Sequence, residues 1–197
     1  MNAMTESGIT KHRLTVDDYF LMAEVGVLAP DARVELIEGE IIDMPPMGSQ
    51  HGGTGNFLLR RFTAAIGDSA IVSSQSTLVL GRYNAPEPDL MVLRPRADYY
   101  RRSNPTADDV LLLVEVSDST LPYDRKIKAP LYARYRIPEV WIVNLRQLEL
   151  LRLRQPGSND CTEIETIKSP GLIQLAALGD IQVDLSGLFD DCDQPAS

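Results

Sequence analysis

Cysteine and histidine are scarce in this chain, with two of each. Cys161 and Cys192 lie far apart, so their spacing builds no metal motif and no disulfide framework. Reduced thiols and a cytoplasmic protein are the expectation. Two histidines, His12 and His51, and the lack of a Gly-x-Ser-x-Gly sequence leave little basis for a Ser–His hydrolase. Long apolar runs are missing too. The longest, residues 110–116, is interrupted by Glu115 and falls short of the roughly 20 residues a membrane helix needs. Residues 1–7 contain no apolar signal core, so export is not expected. Positive charge is in deficit: 19 basic residues face 28 acidic ones, a net charge of −9. That balance argues against a protein that coats nucleic acid. It leaves room for a nuclease, which concentrates acid at a metal site and needs only a local basic rim.

What is present suits one globular domain. The chain has 197 residues, 44% hydrophobic and 24% charged, enough to bury a real core. A polar leader (1–13) precedes a single expected domain (14–189) and an acidic, polar tail (190–197). Thr15 and Asp18 form the pattern of a capping box, which predicts a helix over Val16–Glu24. Residues 33–37 and 40–44 are β-like runs joined by Glu38-Gly39, a two-residue hairpin turn. A helix is expected to start near Ser49–His51, with Phe57, Leu58, Phe62 and Ala65 on one face. Residues 70–80 and 90–93 are strand-like. Residues 94–109 form a polar loop with room for one helical turn. The continuous apolar run 110–116 predicts a central strand buried on both faces. A helical segment over 124–136 follows, then strands at 140–144, 148–154, 161–167 and 181–185. The stretch 148–154 alternates apolar and basic residues, as a half-exposed strand should. Helices and strands in this order suit one α/β or α+β domain with a β-rich C-terminal part.

Three residues stand out chemically. Glu115 lies near the end of the most apolar strand, where a charge is costly unless it is paired or bound to metal. Asp89 opens the strand at 90–93. If those two strands pair antiparallel, Asp89 and Glu115 meet at one edge of the sheet. Close carboxylates repel unless they share a cation or a proton, and oxygen-only ligands suit Mg²⁺ or Mn²⁺. Taken singly, an Asp before a strand is often a turn residue, and a Glu at a strand end often pairs with Arg. The basic cluster Arg125-Lys126-Ile127-Lys128 opens the following helix. With Ile127 and Leu131 facing the core, Lys128 would lie at the border, sharing a face with Tyr132 and reaching back towards Glu115. Pro130 is tolerated only in a first helical turn, which would start the regular helix near Ala129. Glu35 falls on an alternating strand and reads as a solvent-facing hairpin residue. His51 with Gly52-Gly53 reads as a capping or packing residue; a phosphate near the helix start is the other option. The Gly-Gly is no phosphate loop, because no Lys-Ser/Thr follows.

Several short motifs follow one another along the chain: Glu35-Leu36-Ile37-Glu38-Gly39-Glu40, His51-Gly52, Pro88-Asp89-Leu90, Leu113-Val114-Glu115-Val116-Ser117, Tyr123-Asp124-Arg125-Lys126-Ile127-Lys128, Tyr132-Ala133 and Ile137-Pro138-Glu139-Val140-Trp141. The series resembles the Uma-two family, grouped with restriction endonucleases in the PD-(D/E)XK nuclease superfamily, over about residues 14–189. The resemblance implies a restriction-endonuclease-like core, a mixed sheet with helices on its faces. It implies that Asp89, Glu115 and the backbone carbonyl of Val116 hold a metal ion, Mg²⁺ or Mn²⁺. It makes Asp89, Glu115, Lys128 and Glu35 the catalytic candidates. One departure stands out. The superfamily's lysine falls two residues after the second acid, where this chain has Ser117; the family places it at Lys128, with Lys126 as substitute if the helix is rotated.

The function implied is metal-dependent hydrolysis of phosphodiester bonds, with DNA as substrate and a homodimer to cut two strands. Two rivals remain at this point. One is a non-catalytic, nuclease-like interaction or regulatory module, which the acidic charge and displaced lysine favour. The other is a hydrolase of small phosphate esters.

Overall fold

The computed structural model describes residues 10–190. The first nine residues of the expected leader, and the tail from residue 191 with Cys192, lie outside the described residues. The chain divides into two compact units. One holds the chain up to Pro45 together with Val79–Pro86; the other holds Pro46–Leu78 and the chain from Glu87 onward.

The first unit is a helix and a hairpin. Helix α1 (Val16–Glu24) begins with the expected capping box, in which Thr15 and Asp18 bond each other's backbone N–H groups. Strands β1 (Val34–Ile37) and β2 (Glu40–Asp43) pair antiparallel, with Ile37 opposite Glu40. Glu38 and Gly39 both have positive φ, 53° and 82°, as the tight hairpin turn requires. Any side chain at Gly39 would collide with Arg13, whose Cβ lies 2.6 Å from the place a Cβ would take. Ala85 bridges Leu36, and Val16, Tyr19, Val34, Leu36 and Ala85 form the unit's core. The Tyr19 hydroxyl donates to the Val34 carbonyl at 2.9 Å.

The second unit is built on a six-stranded mixed sheet in the order β3-β4-β5-β6-β7-β8. Its strands are β3 (Ile71–Ser74), β4 (Leu90–Leu93), β5 (Val110–Ser117), β6 (Glu139–Asn144), β7 (Glu149–Pro156) and β8 (Cys161–Ile167). Only β5 and β6 run parallel. A parallel pair needs a crossover, and a composite helical run supplies it. This run, α3, consists of a turn at Leu121–Tyr123, a π-helical stretch at Asp124–Lys128 and a regular stretch at Ala129–Arg134. Pro130 explains the irregularity. It has no N–H to donate, and the Ala129 N–H closes instead on the Asp124 carbonyl five residues back.

Every residue of β5 is buried, as its apolar run predicts. One face of the sheet, with Leu90, Val92, Leu112, Val114, Trp141 and Val143, packs with Leu58, Phe62 and Ile66 of helix α2 (Ser49–Ile66). A two-stranded hairpin, β9 (Leu172–Leu175) and β10 (Leu178–Asp184), joins the same core through Ile173, Leu175 and Val183. Alternation along the strands sends Glu115 and Ser117 to the other face, the face that α3 covers.

Four expectations need correction. The strand expected over 70–80 stops at Ser74; Gln75 takes a φ of 48° and the chain leaves the sheet. β7 is not half-exposed: Arg152 is buried because Glu139 accepts from its Nε at 2.5 Å. Glu35 is buried rather than solvent-facing, since all four residues of β1 are buried. Ile127 is 41% exposed while Lys128 is 1% exposed, the reverse of the expected faces. Lys128 shares its buried face with Leu131 and Tyr132, three and four residues on, and with Asp124 one turn back. Among the described residues, no helix is long and apolar enough to cross a membrane.

Candidate active site

The antiparallel pairing of β4 and β5 sets the site. Leu90 lies opposite Val114, so Asp89, one residue earlier, stands beside the end of β5 that carries Glu115. The backbone ties this down: the Val116 N–H donates to Asp89 Oδ2 at 2.8 Å. In a strand, the N–H and C=O of one residue point to the same side. The Val116 carbonyl is thus directed to the side of the sheet where the Asp89 carboxylate lies. The Ser117 carbonyl, one residue on, accepts from Leu145 N on the opposite side.

Helix α2 contributes the second contact to Asp89. His51, in its first turn, places Nε2 2.8 Å from Asp89 Oδ1. His51 is therefore neither a helix cap nor simple packing. Both oxygens of Asp89 are engaged, one by a main-chain amide and one by a side chain.

Glu115 is held from the other side by α3. Lys128 Nζ lies 2.9 Å from Glu115 Oε1, and the Tyr132 hydroxyl donates to the same oxygen at 2.6 Å. Lys128 and Tyr132 are four residues apart on one helix face, so a single carboxylate oxygen receives both donors. Lys126 is exposed and does not compete for this place. The Lys128–Glu115 pair is almost fully withdrawn from water, with side-chain exposures of 2% and 5%.

Asp124 completes the cluster, and sequence reasoning does not single it out. Its Oδ2 accepts from the Ser117 hydroxyl at 2.7 Å. Burial holds its carboxyl above the usual carboxylate range, and nearby Asp89 adds to that rise; Lys128 and the Thr120 and Ser117 hydroxyls pull the other way. Asp124, Lys128 and Tyr132 repeat every four residues, a signal visible in the sequence. The π-helical stretch that carries Asp124 and Lys128 is of a kind that concentrates at functional sites.

The sequence candidates are thus placed as follows. Asp89, Glu115, Val116 and Lys128 come together at one end of β4 and β5. Glu35 lies on β1 in the first unit. Among the described residues, no group of three or more His, Cys, Asp or Glu side chains is arranged to hold a metal ion. The metal donors at hand are two carboxylates and a main-chain carbonyl. That set fits Mg²⁺, which keeps several waters and takes one or two carboxylates from its protein.

Comparison with known proteins agrees with this architecture. The Uma2 family, described as "Putative restriction endonuclease", matches residues 16–186. A crystal structure of "a putative nuclease belonging to DUF820" from Anabaena variabilis has a similar fold, with a TM-score of 0.68 at 15% identity, over 89% of this chain and 97% of that one. No curated protein matches the chain. The family match runs from α1 to beyond β10 and takes in every element of the site: the chain belongs to the Uma2 family.

Proposed function

We propose that this chain is an endonuclease that uses a divalent cation, Mg²⁺ or Mn²⁺, to hydrolyse phosphodiester bonds, with DNA as its substrate. The observation that carries the reading is the convergence of Asp89, Glu115 and Lys128 at one sheet end, inside a nuclease-like fold. Asp89, Glu115 and the Val116 carbonyl are the groups that would hold the cation. When bound, it would supply Lewis acidity and charge neutralisation at the scissile phosphate. Lys128 brings a positive charge for the negative charge that grows on phosphate, and an ammonium proton to donate to it. One such positioned donor is worth about 10²–10³ in rate. Tyr132 and Lys128 fix the orientation of Glu115, while the Val116 N–H and His51 fix Asp89.

The test is cleavage of supercoiled plasmid with Mg²⁺ or Mn²⁺ by wild type, Asp89→Ala and Lys128→Ala at matched purity. Cleavage by wild type alone supports the mechanism. Equal activity in wild type and Asp89→Ala refutes it. One observation favours a second reading, a non-catalytic interaction module: both Asp89 oxygens are already engaged by protein donors. Calorimetric titration with Mn²⁺ separates the two. A folded protein that takes up no Mn²⁺ is the module.

A further inference from the structure

In a chain of net charge −9, the nine residues 94–102 after β4 carry four arginines and a single carboxylate. The carboxylate, Asp98, is taken by Arg96, whose Nε lies 2.6 Å from its Oδ1. Arg96 also donates to the Ser103 carbonyl at 2.8 Å and lies over the Tyr100 ring, 3.8 Å from its centroid. Arg101 and Arg102 are exposed, and neither joins an ion pair among the described residues.

Between these arginines stand two tyrosines in the left-handed region, Tyr99 at φ 52° and Tyr100 at φ 61°. For bulky residues this is an outlier. Such strain persists only where the surroundings over-determine it, and it clusters at ligand-binding segments. Here Tyr99 N donates to Arg96 O at 2.9 Å, Arg101 N to Asp98 O at 3.0 Å, and the Tyr100 hydroxyl to Arg94 O at 2.9 Å. The outcome is a fixed loop that turns Tyr100 inward and leaves Tyr99 66% exposed, with the Arg101 guanidinium 5.8 Å from its ring. Tyr99 borders a cleft of about 530 Å³, whose walls include Thr63, Asp68, Ile71, Val72 and Pro95.

We infer that this loop and cleft form a binding site for single-stranded nucleic acid, separate from the catalytic cluster. The inference deepens the nuclease reading and rests on it for the substrate class. An exposed, rigid aromatic face stacks an unpaired base, and guanidiniums without carboxylate partners take the adjoining phosphates. The apolar wall of Ile71, Val72 and Pro95 accepts the base, while Asp68 repels phosphate and accepts from a base amino group. A duplex keeps its bases inside and offers Tyr99 nothing to stack on. Asp89 opens β4 and Arg94 follows its end, so at about 3.3 Å per residue the two places lie roughly 16 Å apart. That is about five base steps of 3.4 Å. A strand gripped at Tyr99 would present a bond a few nucleotides away to Asp89 and Glu115.

The experiment is fluorescence anisotropy in EDTA, using a fluorescein-labelled oligodeoxynucleotide, single-stranded and as its duplex. Wild type should bind the single strand more tightly. Tyr99→Ala should weaken that binding by roughly five- to a hundredfold, and Tyr99→Phe should restore it. Arg101→Gln with Arg102→Gln, at exposed positions that leave folding intact, should lower the slope of log affinity against log salt by about 1.4. No binding by wild type, equal binding of duplex, or unchanged binding in both loop variants would overturn the inference. Loss of plasmid cleavage with oligonucleotide binding intact would instead count against the nuclease reading alone.

Discussion

Lys128→Met tests how the site is assembled. The wild-type ammonium lies 2.9 Å from Glu115 Oε1, and both side chains are nearly inaccessible to water. Methionine follows the unbranched lysine stem and lacks only its terminal ammonium, so the change removes the charge with little loss of packing. Removing one partner of a buried pair leaves the other uncompensated and costs about 3–5 kcal/mol. In a chain of this size, 1 kcal/mol moves the melting temperature by about 2–4 °C, so a fall of roughly 6–20 °C is expected. The partners are not equivalent. Without Lys128, Glu115 retains the Tyr132 hydroxyl at 2.6 Å but loses its cation. Without the Glu115 charge, Lys128 retains the electrostatic attraction of Asp124. Glu115→Gln should therefore cost less than Lys128→Met, and the double variant should recover part of the Lys128→Met loss. The assay is calorimetric melting of the four proteins in EDTA. A Lys128→Met protein that melts within about 2 °C of wild type would refute the reasoning. So would a Glu115→Gln protein less stable than Lys128→Met.

Three further outcomes follow from other buried groups. The Asp124 carboxyl sits above its ordinary value of 3.8, so folding favours its protonated form. Its contribution to stability is fully present below that value and is lost as pH rises through the raised one. Asp124→Asn cannot titrate and should gain stability relative to wild type across that window; identical urea midpoints for the two proteins from pH 3.8 up to neutrality would refute the burial argument. Cys161 is buried and its thiol is pushed upward, so in a Cys192→Ser background iodoacetamide should label it only on unfolding, as mass spectrometry of native and denatured samples would reveal. Glu139 accepts from Arg152 Nε, Trp141 Nε1 and Ala176 N, so Arg152→Met should cost about 3–5 kcal/mol in denaturant melts and Glu139→Gln with Arg152→Met together should cost less.

Much of the sheet is legible because its signals are local. The Thr15–Asp18 box, the Glu38-Gly39 turn and the apolar run of β5 each follow from a few adjacent residues, and the structure has all three. The mixed sheet with helices on its faces is what the family resemblance implies, and the structure has it. The errors have a different origin. Arg152 looks like a solvent residue until Glu139, thirteen positions away on β6, is seen to bury it. Residues 75–78 have strand composition, but Gln75 turns the chain away. β9 escapes sequence reasoning because Leu172–Leu175 is short and gains its meaning only from pairing with β10. For Arg152 a partner distant in sequence outweighs local propensity.

The lysine is the sharpest case, because it reaches Glu115 as expected but from a different helix face. The expected faces of α3 have Ile127 inward, and regular helix geometry supports that. Lys128 is inward instead, three and four residues before the buried Leu131 and Tyr132. Ser117, the position at which the resemblance to PD-(D/E)XK nucleases implies a lysine, is not idle. It lies two residues after Glu115, on the same face of β5, and its hydroxyl ties Asp124 to the strand. Asp124 is one turn before Lys128, so this bond fixes the stretch that delivers the ammonium. Strand and helix are thus two routes to one carboxylate, and moving the lysine back tests the equivalence. Lys128→Ala empties the buried space beside Glu115. Ser117→Lys in that background sets an ammonium two strand residues from the carboxylate, about 6.6 Å along the backbone and within reach of its side chain. The double variant should melt several degrees above Lys128→Ala. A double variant no more stable than Lys128→Ala would show that the strand position cannot serve Glu115 in this fold.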